Sequence, residues 1–170
     1  MNVFKAVLFV VAASVLASCG GGNDDIKLIT FNVASMRGID SGLAYKAVVM
    51  PYTGTRLIMN VEYALYSGDI EEIHVAENTM PTGEKITGFY FFFNAKGARK
   101  LTNITAANMG SYIVMSYAGS PIGLRIIDAV ITDGKLFVCS EFFDEKKSIH
   151  KLVEEMREQL QKVDKIKKDL

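Results

Sequence analysis

The sequence predicts an α+β domain, an antiparallel β-sheet packed by a central helix and by a long carboxy-terminal helix. Three observations carry the prediction. Short β-prone runs are separated by turn chemistry at Pro51-Tyr52-Thr53-Gly54, Ala118-Gly119-Ser120-Pro121 and Asp133-Gly134, where proline fixes φ and glycine accepts a positive φ. Phe89-Tyr90-Phe91-Phe92-Phe93 sets aromatic residues in an unbroken row, a composition that suits a pleated strand and shows no helical stripe. Ile149, Val153, Met156, Leu160 and Val163 recur at alternating spacings of four and three and continue to Lys167 and Leu170, the seam of an amphipathic helix.

The elements follow in order. Ile26–Ala34 alternates as a strand with both faces partly covered, and Met36–Gly42 is a loop. Ala44–Met50 and Thr55–Tyr66 are strands joined across Pro51–Gly54 as a β-hairpin. Ser67-Gly68-Asp69 breaks the chain before the strand Ile70–Ala76, and Glu77–Lys85, with Asn78, Pro81 and Gly83, is a loop. After the aromatic strand, Asn94 is placed to cap a helix running to Met109, with Ala98, Leu101, Ile104 or Thr105, and Met109 at helical spacing. Gly110 sits where a left-handed residue closes such a helix. Tyr112–Tyr117, Ile122–Ile127 and Leu136–Glu141 are further strands. The final helix starts near Glu145. Its first two turns close the core, and the polar remainder from about Glu158 to Leu170 overhangs the domain.

Composition narrows the function classes. With 170 residues, 49% of them hydrophobic, the chain has enough apolar material for one domain with a real core. Nineteen basic residues balance nineteen acidic ones, so no basic surface is expected to recruit nucleic acid. Two cysteines cannot build a disulfide framework, and two histidines do not suggest a metal site. No cofactor motif is present: there is neither a phosphate-cradling glycine loop nor a Gly-x-Ser-x-Gly elbow.

The amino terminus carries the strongest signal. Lys5 precedes the apolar run Ala6–Val15, then Leu16-Ala17-Ser18-Cys19 and Gly20-Gly21-Gly22. A membrane-spanning helix needs about twenty apolar residues, so the run reads as an export signal. Leu16–Cys19 resembles the lipobox of bacterial lipoproteins. That resemblance implies cleavage between Ser18 and Cys19, lipid on the Cys19 sulfur and acylation of the new amino terminus. Residues 1–18 are then a signal peptide and 19–25 a flexible tether. Residues 26–147 form the α+β domain and 148–170 the carboxy-terminal helix segment. The body lies outside the cytoplasm with the membrane as partner through the lipid anchor. Gly20, in place of an aspartate after the cysteine, favours the outer over the inner membrane.

Phe89 to about Phe142 resembles the head subdomain of the periplasmic domain of the bacterial secretion factor SecD (SecDF). The matching features are the aromatic strand ending in Phe93, Gly97-Ala98 early in the helix, Ile104-Thr105, and Asn108 through Gly110. A hydrophobic strand to the Gly119 turn and a strand ending at Phe142 complete the match, and Asp69-Ile70 with Val75 looks like the segment that introduces the subdomain. The head-like part spans about 82–147. Ala118-Gly119 stands where the family usually has Asp-Gly, and Arg125 and Val130 where it has prolines. The resemblance implies a head-like module that contacts an envelope protein or peptide. It does not imply the proton-driven motor, whose bundle of membrane helices has no counterpart in this sequence.

Each candidate residue has a bland reading beside the functional one. His74 and His150 stand alone, without ligand-spaced partners, and read as solvated. Asp69, Glu71 and Glu72 could serve acid–base chemistry in a hydrolase, but a solvated charged edge is the default. Cys139 alternates with Phe137 and Glu141 and reads as a buried structural thiol without a catalytic base. Phe89, Phe91 and Phe93 belong either to a central strand covered on both sides or to an interaction surface. Leu160 and Val163 belong either to a helix end free in solvent or to one that pairs with a partner or a second copy as a homo-oligomer. The expected function is therefore non-enzymatic.

Overall fold

The computed structural model describes residues 26–36, 44–79, 82–141 and 146–168. Its strands are β1 (Ile29–Ser35), β2 (Tyr45–Val49), β3 (Arg56–Asn60), β4 (Leu65–Tyr66), β5 (Ile70–Thr79) and β6 (Lys85–Phe93), followed by helix α1 (Ala95–Ala107). Then come β7 (Tyr112–Tyr117), β8 (Ser120–Ile126), β9 (Lys135–Ser140) and helix α2 (Lys146–Lys168). The strands form one sheet in the order β2-β3-β1-β7-β8-β9-β6-β5, with β4 also on β1. Every pairing is antiparallel. The α+β class read from the sequence is the architecture found.

Local chemistry explains most boundaries. The Asn94 side chain accepts from the backbone N–H groups of Lys96 and Gly97 at 3.1 and 3.0 Å, satisfying two of the donors left open at the start of α1. Ala118 and Gly119 both take positive φ, 49° and 81°, as the two-residue β7–β8 turn demands. The run Thr55–Tyr66 divides where the sequence suggests one strand. β3 pairs with the far end of β1 (Ala34 with Met59) and β4 with its start (Phe31 with Leu65). Between them the Asn60 side chain accepts from Glu62 N–H, and the Asn32 amide donates to the Asn60 carbonyl. These local bonds replace the ladder over the detour. β5 runs on to Thr79, through the expected loop, because β6 starts early enough at Lys85 to pair with it.

The sheet is strongly curled. β1 and β6 are four strand steps apart in its order, about 19 Å if the sheet were flat. Yet the Phe31 ring meets Phe91 edge-on at 5.0 Å and Phe93 at 5.5 Å. Both helices occupy the concave side. Leu101 of α1 and Ile149, Val153, Met156 and Leu160 of α2 share one core with Ile29, Phe31, Ile73, Phe89, Phe91, Phe93, Ile113, Met115, Leu136 and Val138.

α2 also straps the trough across its mouth. Glu155 accepts from Lys27 Nζ at 2.7 Å and from the Tyr117 hydroxyl at 3.0 Å on one flank. Arg157 Nε donates to the Ile73 carbonyl at 3.0 Å on the other. Further along, Lys167 Nζ donates to the Gly68 carbonyl. The helix beyond Glu158 is therefore an overhang only in part: Gln159 and Leu160 are buried and Val163 is half-buried, whereas Gln161 and residues 164–168 are exposed.

Two predictions follow from this packing. A Cβ on Gly88 would lie 2.2 Å from the Val138 carbonyl oxygen, whereas Gly54, at φ 66°, has open space around it. Gly88→Ala should cost about 2–3 kcal/mol through backbone displacement, against about 1 kcal/mol for Gly54→Ala from φ strain alone; urea midpoints compare them. The second concerns acid. Lys27, then Tyr117, holds the Glu155 carboxyl below its ordinary range. A lowered folded-state pKa stabilises above the unfolded value, near ~4.3, and the gain is lost as pH falls through the folded value. The stability gap between the wild type and Glu155→Gln should be full at neutral pH and close as the pH drops below ~4, read from denaturant midpoints at a series of pH values.

Candidate functional site

Because the helices share the concave side, the convex side must be covered by side chains and strands alone among the described residues. Alternation along β6 sends Phe89, Phe91 and Phe93 to the core and Tyr90 and Phe92 outward. Tyr90 lies in register between His74 of β5 and Phe137 of β9. Tyr90, Phe92 and Phe137 are all half-buried. Phe92 meets Tyr90 edge-on at 5.1 Å and His74 at 5.5 Å, with Lys135 Nζ over its ring at 5.7 Å. The result is a row of partly accessible aromatic rings with a cationic rim.

The rest of the convex side is covered by the β2–β3 hairpin, which leaves β1 and folds across it. Met50, Leu57 and Met59 of the hairpin form a second small core with Ala34 and Val114, and Val48, Tyr112 and Leu124 pack against it. Glu141 holds the tip. Its carboxylate, 3% exposed, accepts from the backbone N–H groups of Tyr52 and Thr53 at 3.3 and 3.0 Å and from the Thr53 hydroxyl at 3.1 Å. Beside the tip opens a cleft of about 660 Å³, lined among others by Tyr52, Ile86, Tyr112, Leu124, Cys139 and Glu141.

Burial pushes the Cys139 thiol above its ordinary value, with Arg125 opposing and Glu141 adding to the shift. The thiol is thus protonated at neutral pH, and the Glu141 carboxylate beside it is committed to the hairpin tip. Cys139 is partly buried in the wall of the cleft, where the sequence reading has it fully buried.

The acidic trio is also redistributed. Asp69 is buried, accepting from Lys100 Nζ at 2.8 Å and from Tyr66 N–H at 3.3 Å, whereas Glu71 and Glu72 are exposed. A bulge between Ile70 and Glu72 separates them, so the trio is neither a solvated edge throughout nor a convergent pair. His74 Nδ1 accepts from Arg157 at 3.2 Å and its Nε2 donates to Glu72 at 3.0 Å; His150 is exposed. Among the described residues no three His, Cys, Asp or Glu side chains gather where they could hold a metal ion.

Burial decides between the two readings of the aromatic strand. Phe89 and Phe91 are 0% exposed and Phe93 6%, so they form the floor of the main core and no surface. Leu160 is likewise in the core, and Val163 is half-buried. The lipid-attachment and cleavage residues, Ser18 and Cys19, lie outside the described residues. Sequence reasoning missed Tyr90, Phe92 and Phe137 as the outward set. Their signal was present in the period-two alternation, which defines two faces but not which one the helices take. It also missed Glu141, whose bond to Thr53 spans 88 positions and has no local signature.

The fold and site define an α+β domain with an open, partly aromatic convex side. No family model matches the chain, and no curated protein sequence matches it. Among solved structures the chain is similar to SecDF, described as a membrane component that enhances protein export. The TM-score is 0.48 at 14% identity, over 78% of this chain and 61% of that one. It is also similar to SecDF in a super-membrane-facing form, with a TM-score of 0.46 at 14% identity over 69% of this chain and 17% of that one. The chain thus spans less than two thirds of either structure. No helix among the described residues is long and apolar enough to cross a membrane.

Glu141→Ala tests the latch. It leaves the Tyr52 and Thr53 N–H groups without their acceptor, at a cost of about 1–3 kcal/mol. Amide exchange at Tyr52 and Thr53 should accelerate well beyond that at Val138 in the main core.

Proposed function

We propose that this chain is a lipid-anchored bacterial envelope protein without catalytic chemistry, tethered through Cys19, that binds polypeptide on the convex side of its sheet. One observation carries the reading. Both helices pack on the concave side, leaving Tyr90, Phe92 and Phe137 partly accessible on the other. Aromatic side chains dominate the energetics of protein contacts because they bury large area at little conformational cost. The setting proposed is the cell envelope, in connection with protein export, as the sequence resemblance implies. The anchor is additive: each buried methylene contributes about 0.8 kcal/mol, so several acyl chains hold where one does not. Self-association through α2 is less favoured, because the apolar seam that would pair is spent on the sheet.

The test uses the mature lipidated protein in detergent and a reduced, carboxymethylated polypeptide as ligand, with binding read by fluorescence anisotropy. The wild type should bind, and the double variant Tyr90→Ser/Phe137→Ser should bind about tenfold or more weakly. Lys151→Ser on the exposed side of α2 should leave binding unchanged. A wild type that does not bind removes the reading. Incorporation of labelled fatty acid, lost in Cys19→Ala, tests the anchor separately.

A further inference from the structure

We propose that strand β2 is a docking edge for an extended peptide, which adds to the sheet as one more strand beside Tyr45, Ala47 and Val49. The inference rests on the polypeptide-binding reading above and adds a second contact, separate from the Tyr90 and Phe137 face. The register fixes which backbone groups are spare. Met50 N–H donates to the Thr55 carbonyl, and Val61 N–H donates to the Ala44 carbonyl. The even-numbered residues of this strand therefore turn their polar groups toward β3, and by alternation Tyr45, Ala47 and Val49 turn theirs away from it. Among the described residues β2 pairs with β3 alone and ends the sheet. Its outer ladder thus has three consecutive outward-facing positions, which is a peptide-binding template.

The opposite edge shows what a protected one looks like in the same sheet. On β5 the Ile73 carbonyl is taken by Arg157 of α2. A bulge breaks the register after Ile70, and Glu71, Glu72, His74 and Glu77 are exposed along the strand. Among the described residues β2 pairs with β3 without a bulge, and neither α1 nor α2 makes a major contact with it.

Its surroundings also select the partner. Tyr45, Ala47 and Val49 share one side of the ribbon and are exposed, Tyr45 by 43% and Val49 by 55%. On the other side Val48 packs against the second core. From Ala44 to Asn60 the only charged residues are Lys46 and Arg56. The occupant is therefore an extended segment with apolar residues at alternate positions and acidic or neutral residues between them. A basic segment would be repelled.

The test uses the mature lipidated protein in detergent and a fluorescein-labelled peptide of about ten residues, alternating valine with threonine and glutamate. Anisotropy should show binding to the wild type, with slowed amide exchange at Tyr45, Ala47 and Val49. Ala47→Pro removes an outward N–H that the β3 ladder does not use and should weaken binding by about tenfold, while Ala47→Thr, which keeps it, should not. A peptide N-methylated at alternate residues should fail on the unaltered protein, so the outcome does not depend on how a variant folds. Replacing its glutamates by lysines should weaken binding at low salt. Tyr90→Ser/Phe137→Ser should leave this peptide's affinity unchanged.

Binding of the carboxymethylated polypeptide without binding of this peptide overturns the edge assignment alone. Failure of both overturns the polypeptide reading. Undiminished binding by Ala47→Pro or by the N-methylated peptide, or a β2-to-β2 dimer in sedimentation without peptide, also overturns the edge assignment.

Discussion

The contact of Phe31 with Phe91 and Phe93 is the constraint from which the rest of the molecule follows. Strands that far apart in the sheet bring rings within 5.0 Å only if the sheet bends around them. Curling gives the sheet an inside and an outside that are not equivalent. The concave side can be filled by a few large side chains and bridged by one long helix. The convex side diverges, and neither described helix covers it. α2 follows the first possibility literally, with Glu155 bound to Lys27 and Tyr117 at one rim and Arg157 bound to Ile73 at the other. A helix that joins two rims resists uncurling in a way that a helix lying along one strand would not.

Part of the convex side is covered by the chain's own hairpin, and that solution depends on a buried carboxylate. Glu141 lies almost fully out of water with no cation bonded to it among the described residues, where its partners are two backbone N–H groups and a hydroxyl. Charge-assisted bonds from fixed backbone donors offset desolvation without a second charge. The same donors in an untethered turn would face water. Asp69 solves its burial differently, through Lys100 and the Tyr66 N–H at the junction where β4 passes into β5. The loop it braces lies against α1: the Asn94 side chain donates to the Gly68 carbonyl, and Gly97 leaves no room for a side chain beside the Asp69 backbone.

Much of this was written in short-range patterns. The Asn94 cap, the Pro51–Gly54 turn, the Ala118-Gly119 turn and the alternation through Phe89–Phe93 each depend on a few neighbouring residues, and each formed where the sequence put it. What escaped was set by distant partners. The run Thr55–Tyr66 has uniform strand character, and its division reflects two separate registers on β1. The polar end of α2 resembles a free helix because its anchors are one buried leucine and a lysine reaching a backbone carbonyl. Asp69 and Glu141 look like ordinary surface acids, since burial of a charge becomes visible only when its partners, 31 and 88 positions away, arrive beside it. For the site, the alternating aromatics specify two faces. Only the curl decides which is core.

The two hydrophobic clusters differ in what it takes to open them. The main one draws buried residues from β1, β4 to β9 and both helices, whereas the second rests on Ala34, Met50, Leu57, Met59 and Val114. Opening the first exposes the whole core. Opening the second requires only that Met50, Leu57 and Met59 leave Ala34 and Val114 and that Glu141 release the tip. Local stability follows the apolar area and hydrogen bonds that must be given up, so the hairpin is the segment whose opening costs least among the described elements. Elements that adjust to a partner are drawn from this low-cost end of a fold. The hairpin carries the sheet's unprotected edge and one wall of the cleft. The rigid trough therefore acts as the frame, and adaptability is concentrated in the arm that a single carboxylate fastens down.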